Sequence, residues 1–195
     1  MQPDRDPSRS SWYVDDAFYR ALVEDFSDWQ RDDRALADPA LRERCRALLE
    51  REARLLDQGR FEDWLAMYAP ECLYWVPGKP DGGDPRREVA LAFDDRRQLE
   101  SRIYRVRTGY AWSQVPASRT VRLVANVEVF DTGAPAIWMV RSNILVNEFR
   151  AGQRGTWAGW CGHRVAERAG RLEILVKQVN LIDCDQSLHN PSIIF

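Results

Sequence analysis

Residues 94–130 constrain the fold most, because the spacing of their hydrophobic positions changes partway along. Up to Gly109 the apolar residues recur at helical spacing, and either Asp94 or Asp95 is placed to cap that helix. After Pro116 apolar and polar residues alternate instead, as they do along a β-strand. The stretch therefore predicts a helix, a corner and a long strand, in that order.

The alternation after Pro116 divides the side chains of this strand between two faces. The residues predicted to share the apolar face are Val121, Leu123, Ala125, Val127 and Val129. The residues predicted to point mostly the other way are Arg122, Asn126 and Glu128.

Three further strands are predicted downstream, at residues 137–149, 157–167 and 172–183. Short turns join them, so they should form an antiparallel meander. Upstream, helical spacing predicts helices over residues 15–33, 38–59 and 61–68, and brief strands over 73–76 and 89–93. Helices that precede a sheet are typical of an α+β fold.

The predicted architecture is a strongly curved, mostly antiparallel sheet wrapped over N-terminal helices, which gives a cone with one open end. We expect residues 1–38 to form an arm with an extra helix, and residues 39–195 to form the cone-shaped domain. The pattern leaves open whether the extra helix packs on the domain or on a partner.

Charge and composition exclude several partners. The net charge is -2 at pH 7, whereas a nucleic-acid-binding face is usually basic. No apolar run reaches the ~18 residues that would span a bilayer, and the N-terminus lacks the apolar segment of a signal peptide. The four cysteines are far apart and form no CxxC pair, which is typical of reduced thiols in the cytoplasm.

Few residues are suited to metal or nucleophilic chemistry. The two histidines are His163, in a predicted strand, and His189, in the tail, so a facial iron triad is not expected. The paired Cys and His motifs of a Rieske centre are absent from the sequence. Cys161 and His163 share a strand face about 7 Å apart, too far for a direct catalytic pair. We therefore expect no catalytic, cofactor-binding or metal residue in this chain.

Two further interpretations stay open. Adjacent Asp94 and Asp95 suit helix capping better than acid–base chemistry, because neighbouring helical side chains diverge. If the cone instead held a small-molecule isomerase, dehydratase or binding site, its polar groups would be Tyr68, Asp94, Arg105 and His163. Codon bias explains an excess of Arg, and core packing explains each Trp taken singly, whereas Arg and Trp together are what protein interfaces concentrate.

A family resemblance lies mainly in the same central stretch. Its residues there are Asp94, Asp95, Leu99, Arg102, Ile103, Arg105, Arg107, Thr108, Gly109, Ala111, Trp112, Pro116, Ser118, Arg119, Asn126 and Val127. Matching segments elsewhere include Glu52 and Ala53, Tyr74 to Pro77, and Lys177 to Val179. In this combination the chain resembles the small (beta) subunit of bacterial aromatic-ring-hydroxylating dioxygenases.

The resemblance implies a nuclear-transport-factor-like cone that forms a homotrimer and supports a trimer of catalytic alpha subunits. In this family the alpha subunit holds the Rieske [2Fe–2S] cluster and the mononuclear non-haem Fe(II), while the beta subunit is mainly structural. The chain would then belong to an oxidoreductase complex that degrades aromatic compounds, without an active site of its own. The corresponding interface residues would be Arg105, Arg107, Trp112, Arg119 and Asn126.

Overall fold

The computed structural model describes residues 13–80, 82–186 and 193–195. Within these ranges the helices are α1 (Asp16–Asp25), α2 (Pro39–Asp57), α3 (Phe61–Leu65) and α4 (Arg96–Arg107). The strands are β1 (Tyr68–Pro77), β2 (Ala90–Asp95), β3 (Arg119–Asp131), β4 (Ile137–Arg150), β5 (Gln153–Arg168) and β6 (Arg171–Leu181). None of the helices in these ranges has the length and apolarity needed to cross a membrane.

The six strands form one curved, open sheet in the order β2-β1-β6-β5-β4-β3. Neighbouring strands are antiparallel except β1 and β6, which run parallel. The predicted meander of the last three strands and the α+β class are therefore confirmed, and β3 adds one more antiparallel strand to that meander. The local start signals also hold: Asp38 caps α2 ahead of Pro39, and Asp95 caps α4 through a capping box with Gln98.

The two faces of the sheet are distinguished by alternate residues of β1. Tyr74 and Val76 belong to the core formed with α2, α3 and α4, and this defines the inner face. Leu73 and Trp75 pack against Leu22 of α1 on the opposite, outer face. The main helices therefore fill the concave side of the sheet, and α1 lies on the other side.

The N-terminal helix packs on this chain's own sheet, which decides a question that the sequence left open. The helix ends at Asp25 rather than near residue 33, because Asp28 adopts a positive φ of 50° and redirects the chain. The following Trp29 then packs beside Gly162 of β5, where a Cβ would lie 2.9 Å from the indole ring. A glycine at that position therefore allows the aromatic ring to approach the strand.

The prediction of a helix up to residue 68 was wrong at its C-terminal end. Helix α3 stops at Leu65, and β1 begins at Tyr68 and runs for 10 residues, so Pro70 lies within a strand. The pairing of β1 with β6 is irregular between Tyr68 and Leu73. A proline is tolerated there because an irregularity does not require its missing N–H.

The predicted single apolar face of β3 was also wrong. Val121 and Leu123 are exposed on the outer face, whereas Val129 is buried on the inner face. The register shifts between Ala125 and Glu128, and Asn126 there has a φ of 53°. Such a bulge moves all later side chains to the opposite face, which an alternation count cannot detect.

Candidate functional site

A cluster of charged and polar side chains lies buried in the interior of the cone. Its centre is Glu52 of α2, whose side chain is 4% exposed. Glu52 Oε1 accepts hydrogen bonds from Tyr68 Oη at 2.7 Å and Trp64 Nε1 at 3.1 Å. The same oxygen lies 2.9 Å from Nζ of Lys177 on β6. One carboxylate therefore joins two helices and two strands.

The surroundings of Glu52 keep it ionised. Burial alone would raise its pKa, but the Lys177 ammonium, His163 and the Tyr68 hydroxyl together hold the pKa well below its usual range. The same burial and the adjacent carboxylate raise the pKa of Tyr68 well above its ordinary value. The cluster is thus an ion pair with a neutral tyrosine as donor.

His163 of β5 lies next to this ion pair. Its Nε2 is 3.5 Å from Glu52 Oε2, and neither ring nitrogen makes a hydrogen bond. Burial lowers the pKa of His163 despite the opposing effect of Glu52, and the Lys177 charge lowers it further. A buried neutral imidazole at this position can titrate only at the cost of stability.

The cavity beside Glu52 is too small for a substrate. A cavity of about 10 Å³ adjoins Glu52, His163 and Lys177, which is space for about one water molecule. Small-molecule sites usually measure about 300–1,000 Å³. Buried charges alone therefore do not make this cluster an open active site.

The four residues of the alternative pocket are only partly brought together. Tyr68 and His163 both adjoin Glu52 in the interior. Asp94 instead pairs with Arg102, with Oδ2 and Nη1 3.0 Å apart, and Arg105 lies exposed on α4.

The residues that organise the interior, Glu52 and Lys177, received no individual role from the sequence. A signal existed for each, since Glu52 falls within the apolar stripe of α2 and Lys177 interrupts an apolar run. Their partnership could not be read locally, because they lie far apart in the chain.

The described residues offer no cluster that fits a metal ion or an iron–sulfur group. Within residues 13–80, 82–186 and 193–195, no three His, Cys, Asp or Glu side chains converge as ligands. The four cysteines are free and buried, and burial raises the pKa of Cys161 to about 12 and of Cys45 to about 11. His189 lies outside the described residues.

The other notable feature is an exposed apolar surface at the free edge of the sheet. We define the edge surface by its exposed members Trp112, Val115, Arg119, Val121 and Leu123. Trp112 is 81% exposed, and Val115, Val121 and Leu123 are each more than half exposed. Such a concentration of large apolar side chains is typical of a surface that contacts another protein.

Local contacts hold the loop of the edge surface beside the start of β3 and the end of β4. Val115 N donates to the carbonyl oxygen of Trp112 at 3.1 Å, which folds the loop into a single turn. Arg150 Nε of β4 donates to the carbonyl oxygen of Pro116 at 3.2 Å, which holds that loop against the strand. Arg119 extends over the ring of Phe149, with Cζ 4.7 Å from the centroid.

The remaining predicted interface residues lie near this surface in sequence. Asn126 is exposed at the bulge of β3. Arg107 is exposed at the end of α4, where its Cζ lies 5.8 Å from the ring centroid of Tyr104 and Nη1 lies 3.6 Å from Glu62 Oε1. Both Arg105 and Arg107 are solvent-exposed, and an exposed ion pair such as that of Arg107 with Glu62 contributes little to stability.

Comparison with known proteins shows the family of this chain. The model of the ring hydroxylating beta subunit family matches residues 51–186. The benzoate 1,2-dioxygenase subunit beta of Acinetobacter baylyi is 31% identical over 152 residues, covering 75% of this chain and 89% of that subunit. The 2-halobenzoate 1,2-dioxygenase small subunit of Burkholderia cepacia is 39% identical over 90 residues, covering 44% of this chain and 54% of that subunit. That second match therefore spans about half the length of the relative.

Solved structures agree with these relatives. The beta subunit of benzoate 1,2-dioxygenase from Burkholderia mallei has a TM-score of 0.63 at 26% identity, covering 77% of this chain and 95% of that one. A nuclear-transport-factor-like protein with a cystatin-like fold from Novosphingobium aromaticivorans has a TM-score of 0.54 at 14% identity, covering 88% and 92%. The latter shows the cone fold alone. From the family match and the Acinetobacter relative, the chain belongs to the family of ring hydroxylating beta subunits.

Proposed function

We propose that this chain forms a homotrimer and supports a trimer of catalytic alpha subunits in an aromatic-ring-hydroxylating dioxygenase. The exposed edge surface is the observation that carries this proposal. Subunit interfaces concentrate Trp and Arg around an apolar centre, and this surface presents Trp112 and Arg119 beside Val121 and Leu123. The cavity beside Glu52 supports the same proposal, because it has no room for a substrate-sized molecule.

The five predicted interface residues fall into two groups in this proposal. Trp112 and Arg119 belong to the edge surface and contact a neighbouring copy or the alpha subunit directly. Arg105 and Arg107 extend charge from α4 toward acidic groups of the partner. Asn126 sets the bulge that turns the first half of β3 outward.

We further propose that the reaction and its cofactors belong to the alpha subunit. That subunit would hold the Rieske [2Fe–2S] cluster and the mononuclear Fe(II), and would add two oxygen atoms to an aromatic ring with reducing equivalents from a reduced nicotinamide. The widely separated, buried thiols of this chain support that assignment. The names of the benzoate and halobenzoate relatives favour an aromatic carboxylate as the substrate of the complex.

The proposal also covers location and domain organisation. We place the complex in the cytoplasm on the composition and cysteine pattern discussed above. Residues 39–195 would form the cone-shaped domain, and residues 1–38 an appended arm whose helix covers part of the outer face.

The central experiment co-expresses the chain with the alpha subunit encoded in the same operon and determines the mass of the purified complex by light scattering. We expect a complex with three copies of each subunit, and for this chain alone three times its mass of 22.6 kDa. Iron and acid-labile sulfide should appear only when the alpha subunit is present. A chain that co-purifies with no alpha subunit would contradict the proposal.

A pair of variants tests the edge surface itself. Substituting Val121→Asp and Leu123→Asp together places two carboxylates on that surface and should dissociate the assembly. Val89→Asp is the matched control, because Val89 is also a large exposed apolar residue, at 84%, but lies outside the edge surface. Equal loss of assembly in both variants would show that the contact lies elsewhere. Conversion of an aromatic carboxylate by the reconstituted complex, but not by either subunit alone, tests the assigned reaction.

A further inference from the structure

Residues 193–195 lie inside the cone and are almost completely buried. Ile193, Ile194 and Phe195 are 5%, 5% and 2% exposed, and all three belong to the inner core. The Phe195 ring meets the Trp157 ring edge-on, with 5.3 Å between centroids. The interior is therefore filled partly by this short segment, and its contacts show how the segment is held.

Three cations on three different elements bind the main chain of this segment. Arg102 Nη2 of α4 donates to the carbonyl oxygen of Ile193 at 3.2 Å. Arg122 Nη2 of β3 donates to the carbonyl oxygen of Ile194. Lys177 Nζ of β6 donates to the main-chain oxygen of Phe195 at 2.8 Å. Three successive main-chain oxygens thus each accept a hydrogen bond from a charged donor. Such a bond is stronger than one between neutral groups.

Each of these cations is positioned by a carboxylate. The three pairs, each from separate elements, are Asp94 with Arg102, Asp57 with Arg122, and Glu52 with Lys177. A cation fixed by a carboxylate loses little further freedom when it binds a third group, so the donors are arranged in advance. The three interior ion pairs therefore hold a row of donors that faces residues 193–195.

Selectivity for an aromatic residue at position 195 comes from two more contacts. The N–H of Phe195 donates to Tyr74 Oη at 2.9 Å, and its ring packs against Trp157. Main-chain donors give affinity for an extended peptide, while side-chain pockets give specificity. The main-chain oxygens of a buried segment need donors, and here all three donors are charged side chains rather than neutral groups.

From this arrangement we propose that the interior of the cone is a peptide-binding site that is occupied by the chain's own residues 193–195. Its ligand class is a short extended peptide with two aliphatic residues followed by an aromatic one. Three charged donors bind successive main-chain oxygens of the peptide, and the Trp157 ring packs against its aromatic residue. The proposal does not depend on the subunit assembly, since no member of the edge surface takes part.

The first test supplies the segment as a separate molecule. In the full chain, Ile193→Ser and Phe195→Ser together should release residues 193–195 from the interior of the cone. The acetylated peptide Pro-Ser-Ile-Ile-Phe should then bind that variant with one-to-one stoichiometry. Binding is measured by calorimetry and by the rise in Tm, which we expect to be several degrees at saturation. The reversed peptide Phe-Ile-Ile-Ser-Pro should give neither signal. Equal effects of both peptides, or no binding of the first, would overturn the proposal.

A second test remains valid if the double variant fails to fold. Arg102→Met removes one donor, and hydrogen exchange of the Phe195 amide should become about tenfold faster, the effect of losing a charge-assisted hydrogen bond. The matched control is Arg20→Met, an exposed arginine on α1, which should leave this exchange rate unchanged. An unchanged rate in Arg102→Met, or an equal change in the two variants, would show that the donors do not hold the segment.

Discussion

The interior of the cone and the edge surface depart from the usual distribution of residues in opposite directions. The interior buries charges, with Glu52 and Lys177 each nearly inaccessible to solvent. The edge surface exposes apolar groups, with Trp112, Val121 and Leu123 in contact with solvent. The interior satisfies these charges within the chain, because Arg102, Arg122 and Lys177 each contact both a carboxylate and a main-chain oxygen. The apolar side chains of the edge surface, in contrast, are not covered by other described residues of this chain.

The two regions should therefore contribute to different properties, the interior to the stability of the fold and the edge surface to the association of subunits. A buried ion pair is costly to disrupt because removal of one partner leaves an unpaired charge in a medium of low polarity. An exposed apolar side chain contributes little to the isolated subunit and much to a contact that covers it. Substitutions in the interior should therefore affect folding, and those at the edge surface should affect association.

The largest effect is expected for Glu52→Ala. The change leaves Lys177 without its carboxylate and deprives Tyr68 and Trp64 of their acceptor, so the free energy of unfolding should fall by about 3–5 kcal/mol. Urea denaturation followed by circular dichroism measures this loss. The control is the double variant Glu52→Met with Lys177→Met, which should lose less because no charge stays unpaired. A loss below about 1 kcal/mol in Glu52→Ala would contradict the role given to the ion pair.

Trp112→Ala should weaken association by about 2 kcal/mol, or roughly 30-fold in the dissociation constant. The side chain is 81% exposed, so folding of the isolated chain should change by less than about 0.5 kcal/mol. Sedimentation at several concentrations measures the first quantity and denaturation of the dissociated chain measures the second. Arg119→Ala should act in the same direction. Unchanged oligomer mass with a lowered Tm would place both residues in the fold rather than in the interface.

The bulge that turns β3 outward should respond to substitution at Asn126. Its φ of 53° is accessible to glycine and asparagine and strained for a β-branched residue. Asn126→Gly should therefore be nearly neutral, and Asn126→Val should cost about 1–2 kcal/mol in unfolding free energy. If valine were tolerated as well as glycine, the backbone at this position would not be what holds the bulge.

Near neutral pH the smallest effect is a pH dependence due to His163. Because burial lowers its pKa in the folded state, the unfolded chain binds the proton more tightly, and stability falls as pH drops below about 6.5. The expected slope approaches 1.4 kcal/mol per pH unit for one proton. Urea titrations at pH 7.5, 6.0 and 5.0 test this, and His163→Gln should reduce the slope. Comparison with His189→Gln separates the contributions of the two histidines.

Much of the local structure could be predicted from the sequence. Asp38 before Pro39 marked the start of α2, the paired aspartates contained the cap of α4, and the short turns implied the meander of β4 to β6. These features depend on residues within a few positions of one another. The family was also accessible, because its residues fall in the same locally patterned stretch.

The candidate sites depended on contacts that local patterns do not contain. The alternation of β3 predicted one apolar face, whereas the bulge at Asn126 divided it into an exposed and a buried half. Tyr68 and His163 were singled out, but the carboxylate of Glu52 that joins them was not. A bulge and a pairing between distant residues both arise only when the whole sheet curves around α2.

The sequence by itself determined the α+β class, most element boundaries and the family. The tertiary structure alone decided which apolar residues are left for a partner, and which cations hold residues 193–195. The physical reason is that helix caps and turns are satisfied by near neighbours. Burial of a charge, or exposure of a hydrophobic residue, depends on elements that meet only after the sheet has curved around its core.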